Sequence, residues 1–490
     1  MPTKPDKPNV LLICTDHWGA PLLRCAGHPV VMTPTLDQLA RCGALYTNAY
    51  SSCPSCIPAR RQLMTGMSAR ANGLRDYQEG VAFPEAQTLA QCFRDAGYQA
   101  YGVGKTHVYP QRNRIGFDDL LVDDQGRHQF KDTPDGDADD YELFLMEQGY
   151  PGQEYASGMT QNEFVTRAWH LPEHCHPINW ATREICKFIR RRDPSKPGFW
   201  YLSFSAPHPP LTPLQAYVDL YRDVDLDEPA TGDWSRSFDD LPFHIQCRSN
   251  PDGMALVRGS RHEIDLARRA FYATLTQIDH QIRLVIGYLR EADLLDDTII
   301  LFTSDHGHMV GEHGLWCMTP FYEMSAGIPL IVVPAKNDDR IQPGTHDDRL
   351  AEFGDIMPTL LDLADIDIPD QVDRISLIQP QRRDHLYGEH GVGQTAMRMI
   401  RADQYKLIYY PVGNRFQLFN IASDPRECHD LAPNPTHAED LERLSQLLIS
   451  ELYGEDLDWL RDGRLVGLPD AQYTPMPDRS LRNQRGLRFM

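Results

Sequence analysis

Short apolar runs recur along the chain, and stretches with helical spacing of apolar residues separate them. The runs are apolar over nearly their whole length, which is typical of parallel strands covered on both faces. They occupy residues 9–15, 98–104, 199–205, 298–304 and 328–333. Strands that alternate with helices in this way predict an α/β domain with a large, mostly parallel mixed sheet flanked by helices.

Helices are predicted between these strands. Residues 34–43 and 86–97 each end on a glycine, which favours the C-terminus of a helix. The longest helix is expected at about 262–292, and one apolar face predicts its buried side. That face consists of Ile264, Phe271, Leu275, Ile278, Ile282, Ile286 and Leu289. Residues 123–160 and 221–260 are polar and rich in Asp, Pro and Gly, so we expect surface excursions there.

The pattern changes near residue 375, where short strands follow one another without helices between them. An amphipathic helix at about 437–452 comes next. We therefore predict a larger α/β domain over 1–375 and a smaller C-terminal α+β domain with an antiparallel sheet over 376–490. The final segment, PDRSLRNQRGLRFM, carries four arginines. This segment is interpreted either as a solvated tail or as an arm that docks on an acidic neighbouring subunit. We favour the arm, and so we expect a homo-oligomer.

Charge and composition exclude some classes of partner. The 490-residue chain has a formal net charge of -21, so neither nucleic acid nor an anionic membrane is expected to bind it. The apolar run at residues 10–13 is too short for a signal-peptide core, and no stretch approaches the ~20 apolar residues of a membrane span. We expect a cytoplasmic protein. The eleven cysteines show no disulfide framework, and most are interpreted as buried thiols.

Ionisable residues follow four of the predicted strands at the point where each strand ends. In an open α/β sheet, ligands bind at the carboxyl ends of the strands, so we expect these side chains to meet at one edge. In chain order they are Asp16, Lys105, His107, His208, Asp305 and His306.

These residues, together with Arg60, include ligands for a cation and positively charged groups for an anion. Asp16, Asp305 and His306 offer two hard oxygen donors and one imidazole, which is a plausible site for a divalent cation. Lys105 and Arg60 are cations that can hold a tetrahedral anion.

Two histidines complete the chemistry. His107 and His208 can move protons near neutral pH. A metal site, an anion clamp and acid–base groups around a nucleophile together predict the hydrolysis of a sulfate or phosphate ester.

The segment CIPARRQLMTG resembles the signature of the type I sulfatases, in which Cys-x-Pro-x-Arg precedes a helix that ends in Thr-Gly. The register begins at Cys56 because only this cysteine has Pro58 and Arg60 at the required offsets, and Cys53 is interpreted as a bystander. Further motifs follow the family's order: NVLLICTDHWG, GKTH, APH, TIILFTSDHG, GEHGLW and YKLIYYPVGNRFQLFNIASDPRECHDLA. Nearly the whole chain is therefore similar to the formylglycine-dependent sulfatases of the alkaline-phosphatase-like superfamily.

The resemblance implies a modified nucleophile and a metal. Cys56 would be oxidised after synthesis to formylglycine by a formylglycine-generating or equivalent maturation enzyme, and the hydrated aldehyde would attack the ester. Asp16, Asp305 and His306 would hold a divalent cation together with residue 56. This cation is expected to be Ca²⁺, with Mn²⁺ or Mg²⁺ as alternatives.

The resemblance also implies roles for four other side chains. Arg60 and Lys105 would polarise the nucleophile and the transferred group. His208 would lie beside the leaving oxygen and help protonate it. His107 would help remove a proton from the second hydroxyl, which expels sulfate and restores the aldehyde.

The sequence departs from the family pattern at three positions. Met318 occupies the place of a second lysine in many relatives, Tyr77 aligns with an asparagine, and His17 stands where some members have a second aspartate. Methionine cannot hold an anion or protonate a leaving group. The residues that can compensate, as substrate-binding side chains, are Tyr77, His308, His313 and His390.

Three functions remain open on the sequence. The first is a sulfatase that hydrolyses small-molecule sulfate esters. The second is a phosphodiesterase or phosphonate monoester hydrolase with the same nucleophile, because the metal site and the anion clamp suit either group. The third is a binding protein on a degenerate hydrolase fold, against which the intact cysteine motif and the candidate metal ligands count.

Overall fold

The structure is a computed structural model of the 490-residue chain, and it describes residues 7–125, 138–159, 163–248 and 259–474. The arginine-rich C-terminal segment therefore lies outside the described residues, as do parts of 123–160 and 221–260. The strands are β1 (Asn9–Thr15), β2 (Ala44–Tyr50), β3 (Gln99–Gly104), β4 (Asp119–Val122), β5 (Gly198–Ser203), β6 (Thr298–Ser304), β7 (Leu330–Val333), β8 (Thr345–Glu352), β9 (His385–His390), β10 (Met397–Ala402), β11 (Tyr405–Tyr410), β12 (Arg415–Asn420), β13 (Leu460–Arg461) and β14 (Arg464–Leu465). The helices are α1 (Pro34–Cys42), α2 (Cys56–Thr65), α3 (Ala69–Asn72), α4 (Leu89–Asp95), α5 (Asp140–Glu147), α6 (Pro177–Arg191), α7 (Gln215–Leu220), α8 (Phe243–Arg248), α9 (Arg261–Glu291), α10 (Glu323–Ala326), α11 (Ile356–Leu363) and α12 (Ala438–Glu451).

The large sheet has eight strands in the order β4-β3-β5-β1-β6-β7-β2-β8. The first five strands in this order run parallel, and β2 and β8 are also parallel to each other. The prediction of a large, mostly parallel mixed sheet flanked by helices is confirmed. The first strand, β1, is central, so the segments that follow β3, β5, β1 and β6 emerge side by side.

Four strands differ from the sequence prediction. β7 runs antiparallel to both of its neighbours, because only short helical turns and the four-residue α10 lie between β6 and β7, and no long helix carries the chain back across the sheet. The sequence prediction missed β2, β4 and β8. β4 and β8 are edge strands, and half-exposed edge strands do not form continuous apolar runs.

The two faces of the large sheet bury separate apolar cores. Alternate residues of β1 point to opposite faces, so Leu11 and Ile13 join the core under α6 and α9, whereas Val10 and Leu12 join the core under α4 and α11. The long helix α9 begins at a capping box between Ser260 and Glu263.

The predicted surface excursion at 123–160 includes a helix that the polar composition concealed. Asp139 caps α5 by accepting a hydrogen bond from the backbone N–H of Glu142, whose side chain returns the bond. The predicted excursion at 221–260 likewise contains α8.

The C-terminal strands form an antiparallel sheet in the order β12-β11-β10-β9. One face packs against α12, with Ile400 and Leu407 beside Leu444 and Leu448. The other face packs against the segment that contains α10, with Met399 in the same core as Phe321 and its neighbours. The predicted boundary between residues 375 and 376 stays a prediction. None of the helices within the described residues combines the length and apolarity that crossing a membrane requires.

Candidate active site

Polar side chains meet at the carboxyl ends of the strands β1, β3 and β6. Asp16 follows β1, Lys105 follows β3, and Asp305 and His306 follow β6. The backbone N–H of Asp305 bonds to the carbonyl of Thr15 across 3.2 Å, which fixes the two central segments to each other. All four side chains are buried, so the sheet edge gathers charged groups that the chain keeps apart in sequence.

Cys56 is the first residue of α2, and its side chain is fully buried. Its Sγ lies 3.6 Å from Asp16 Oδ1 and 3.2 Å from His306 Nε2. The unpaired N–H groups of the first helical turn favour negative charge beside this residue. The helix ends at Gly66, whose φ of 63° lies in the left-handed region, as the predicted Thr-Gly ending requires.

Arg60 lies one helical turn after Cys56 on α2 and is also buried. Its Nε donates to Asp305 Oδ2 across 2.8 Å, and its Nη1 donates to the carbonyl of Lys105 and to Ser203 Oγ across 2.8 and 2.7 Å. Its Nη2 makes no hydrogen bond within the described part of the chain. The guanidinium is thus held on two sides, with one nitrogen left for an anion.

Lys105 is buried and pairs through Nζ with Asp16 Oδ2. The preceding Gly104 has a φ of 107°, and a Cβ there would lie 1.7 Å from the carbonyl oxygen of Ser203. Only glycine fits this position, so the close approach of β3 and β5 directs the lysine toward the site. Burial by itself would raise the pKa of Asp16, but Lys105 and the surrounding histidines outweigh it and hold that pKa well below its usual range.

Four buried side chains form a possible metal-binding cluster. Ligand atoms of Asp16, His17, Cys56 and His306 all lie within 4.8 Å of one another. His306 Nδ1 lies 2.9 Å from the carbonyl of Gly307, which leaves Nε2 facing the other members. A carboxylate, two imidazoles and the side chain at position 56 fit a divalent cation.

Asp305 and His17 lie at different distances from this cluster than their places in the sequence suggested. Asp305 Oδ1 lies 3.7 Å from His306 Nε2, while its Oδ2 is engaged by Arg60, so this carboxylate borders the cluster. His17, which the sequence analysis named only as a departure from the family pattern, belongs to the cluster. Its position directly after Asp16 was the signal available in the sequence.

Four histidine rings lie side by side at the site. The ring centroid of His17 is 4.4 Å from that of His208, 4.8 Å from that of His306 and 5.1 Å from that of His308. Burial lowers the pKa of His17 well below its usual range and that of His308 to about 3. His306 differs, because Asp305 and the Cys56 side chain outweigh burial and raise its pKa to about 9.

His107 and Tyr77 lie together beside the segment that follows β3. Their ring centroids are 6.3 Å apart in an edge-to-face arrangement. The backbone N–H of His107 donates to Asp124 Oδ1 across 3.0 Å, and its φ of 53° is left-handed. The Tyr77 hydroxyl donates to Glu79 Oε1.

The other two candidate histidines lie in contact with other parts of the fold. His313 Nδ1 accepts a hydrogen bond from the backbone of Gly232, and its ring packs 4.7 Å from that of Trp234. His390 ends β9, and its Nε2 lies 3.5 Å from Asp76 Oδ1. Substrate binding by these two side chains stays a prediction.

The chain matches two sequence-family models. The Sulfatase model matches residues 8–366, and the model of the N-sulphoglucosamine sulphohydrolase C-terminal region matches residues 311–452.

Individual relatives cover most of the chain. The arylsulfatase of Clostridium perfringens is 36% identical over 476 residues, which span 94% of this chain and 97% of that protein. The choline-sulfatase of Rhizobium meliloti is 29% identical over 448 residues, spanning 88% and 83% of the two chains. The solved phosphonate monoester hydrolase of Agrobacterium radiobacter has a similar fold, with a TM-score of 0.76 at 22% identity over 94% of this chain and 100% of that one.

The resemblance drawn from the cysteine motif is confirmed, because the Sulfatase model spans most of the chain and a relative above 30% identity covers nearly all of it. The chain belongs to the sulfatase family of sulfuric ester hydrolases, within the alkaline-phosphatase-like superfamily.

Proposed function

We propose that the protein hydrolyses small-molecule sulfate esters and that residue 56, converted from cysteine to formylglycine, is the nucleophile. The observation that carries this proposal is the surrounding of Cys56. Cys56 is the first residue of a helix, and its buried Sγ lies 3.2 Å from His306 Nε2 and 3.6 Å from Asp16 Oδ1. Two buried cations lie close by: Lys105 bonds to Asp16, and Arg60 bonds to Asp305. These neighbours support attack on an anionic tetrahedral group.

The modified residue and the cation supply what the encoded side chains lack. A hydrated aldehyde at position 56 supplies one hydroxyl for attack and a second hydroxyl whose deprotonation releases sulfate. A divalent cation held by Asp16, Asp305, His306 and residue 56 would supply positive charge that favours the ionised hydroxyl.

Arg60 and Lys105 orient the sulfate and bind its oxygens. Arg60 has a free Nη2 beside the bonds that fix its Nε and Nη1, so it is preorganised for an oxyanion. Lys105 balances the charge of Asp16 and keeps this carboxylate ionised.

His208 and His107 move the protons. The Nδ1 of His208 donates to the carbonyl of Pro209 across 2.6 Å, which fixes the orientation of the ring, and Nε2 is the atom proposed to protonate the leaving oxygen. His107 would accept the proton of the second hydroxyl, a role that its place after Lys105 supports.

The second candidate is hydrolysis of a phosphate diester or phosphonate monoester with the same nucleophile. Arg60 and Lys105 recognise charge and tetrahedral shape, which sulfate and phosphoryl groups share. The half-buried Met318 occupies the position at which many relatives have a lysine beside the leaving group. Other side chains must therefore determine whether sulfate or phosphorus esters are preferred.

Four further assignments complete the proposal. We propose that a formylglycine-generating or equivalent enzyme matures the chain, that the working form is a homo-oligomer, and that its compartment is the cytoplasm. The C-terminal domain is proposed to begin at residue 376. Size measurement in solution and mass analysis of material from a host with the maturation enzyme test the first two.

The deciding experiment compares rate constants on an aryl sulfate, a phosphate diester and a phosphonate ester. We expect the highest kcat/KM on the sulfate and no turnover of it by the Cys56→Ala variant. A higher kcat/KM on a phosphorus ester would replace the first proposal by the second. Unconverted cysteine at position 56 together with no turnover of any ester would instead support the binding protein on a degenerate fold.

A further inference from the structure

His17 stands out among the buried histidines of the site. Neither of its ring nitrogens makes a hydrogen bond to another described residue, although the side chain is fully buried. Its Nε2 lies 3.5 Å from Asp16 Oδ1, and it belongs to the cluster whose ligand atoms lie within 4.8 Å. A buried polar group without a partner is costly, so a ligand is expected to bind there.

The backbone holds this ring in place. His17 has a left-handed φ of 68°, and such strain persists only where the surroundings fix it. The next backbone N–H, that of Trp18, donates to Ser304 Oγ across 3.0 Å, and this hydroxyl donates in turn to the carbonyl of His306 across 2.8 Å. One serine therefore ties the two segments that carry both imidazoles of the cluster.

Close backbone packing next to His17 restricts the path of the chain there. A Cβ at Gly19 would lie 2.4 Å from the carbonyl oxygen of Met324, and one at Gly307 would lie 2.1 Å from the same atom. The segments after β1 and β6 thus meet α10 at a distance that only glycine permits, which fixes the direction of the His17 backbone.

Carboxylate oxygens are scarce at this site. Asp16 and Asp305 each give one oxygen to a buried cation, Lys105 in one case and Arg60 in the other. The second oxygen of Asp305 accepts a bond from the backbone N–H of His306 across 3.0 Å. Calcium requires about six to eight oxygen ligands. Asp16 Oδ1 is therefore the one oxygen of these two carboxylates that is bound neither to Lys105 or Arg60 nor to a backbone N–H of a described residue, against two imidazoles.

We infer that His17 is a nitrogen ligand of the cation and that the site selects a divalent first-row transition metal over Ca²⁺ and Mg²⁺. Imidazole suits such metals, whereas sites made of carboxylate, carbonyl and water favour calcium and magnesium. This inference rests on the proposed function only in that the cluster holds the cation used in hydrolysis. It replaces the expectation of calcium that the family resemblance gave.

The test counts nitrogen ligands on the full-length enzyme. After removal of metal with a chelator and reloading with Mn²⁺, electron spin echo modulation is expected to detect two imidazole nitrogens. The His17→Gln variant is expected to show one nitrogen and to bind Mn²⁺ at least about 10-fold more weakly. His308→Gln is the matched control, because its ring lies 5.1 Å from His17 but outside the cluster, and it should retain both nitrogens.

Competition between metals provides a second measurement. The unaltered enzyme is expected to bind Mn²⁺ and Zn²⁺ at least about 10-fold more tightly than Ca²⁺, and His17→Asp is expected to narrow that ratio. One nitrogen in the unaltered enzyme, or calcium binding as tight as manganese binding, overturns the inference. Neither result bears on whether Cys56→Ala abolishes sulfate hydrolysis, so failure here is distinct from failure of the proposed function.

Discussion

Arg60 Nε and Asp305 Oδ2 are 2.8 Å apart, and both side chains are almost completely buried. This ion pair connects the helix that begins at Cys56 to the segment that follows β6. Arg60 is therefore oriented by a carboxylate that lies beside the candidate metal-binding cluster, and its Nη2, which bonds to no described residue, is the atom that we propose for substrate binding.

Arg60→Lys is expected to lower kcat/KM on an aryl sulfate by roughly 10²–10³, the usual cost of losing one oxyanion donor. Lysine keeps the charge but cannot hold Asp305 and Ser203 while presenting another nitrogen. Steady-state kinetics with the metal-loaded enzyme measures the effect.

Arg61→Lys is the matched control for this prediction. Arg61 is the next residue of α2, and its Nη2 donates to the carbonyl of Ala82 across 3.0 Å. A loss of kcat/KM in Arg61→Lys as large as that in Arg60→Lys would show that helix damage, and not anion binding, explains both variants.

His208→Gln is expected to reduce kcat by about 10²–10⁴ on esters with poor leaving groups and by much less on those with good ones. Glutamine cannot donate the proton that a basic leaving oxygen needs. A series of aryl sulfates with phenols of different acidity provides the measurement, as the slope of log kcat against leaving-group pKa. Equal slopes for the variant and the unaltered enzyme would remove His208 from this role.

Gly104→Ala is expected to displace Lys105 and to abolish most activity. The new Cβ would lie 1.7 Å from the carbonyl oxygen of Ser203, and the φ of 107° adds strain of order 1–3 kcal/mol. Thermal unfolding and kcat/KM measure the two effects. Gly97→Ala is the control that separates backbone strain from the steric clash. Gly97 also has a positive φ, of 90°, but a Cβ there would have no atom within 4 Å. Comparable activity in the two variants would contradict the prediction.

His176 is expected to make the protein sensitive to acid. Burial lowers its pKa from 6.5 to about 3, so the unfolded chain binds more protons than the folded one between these values. The stability that neutral His176 contributes is therefore present above pH 6.5 and is lost as pH falls toward 3. The loss is at most about 1.4 kcal/mol per pH unit.

Denaturant unfolding between pH 7 and pH 5 tests this dependence. His176→Asn keeps a side-chain acceptor for the backbone N–H of Ile178 and should flatten the slope. His174→Asn, at an exposed neighbouring position, should leave the slope unchanged. An equally steep slope in His176→Asn would assign the acid sensitivity to other groups.

The sequence by itself determined the central strands and singled out the candidate nucleophile. β1 and β6 are continuous apolar runs, and such runs form buried strands wherever they lie in a sheet, so their bounds were predictable residue by residue. Cys56 was distinguishable from Cys53 by Pro58 and Arg60, because the spacing along one helix is a local property. The family followed from these motifs and their order.

Only the tertiary structure decided the direction of β7, the edge strand β8 and the surroundings of the candidate metal ligands. Strand direction depends on partners far along the chain, and an edge strand with one exposed side has no apolar run to reveal it. Asp305 turns one oxygen to Arg60, and His17 enters the cluster, because adjacent strands bring their ends within a few ångströms. The contact between Arg60 and Asp305 joins residues that are 245 positions apart, and no local pattern of hydrophobicity or spacing contains it.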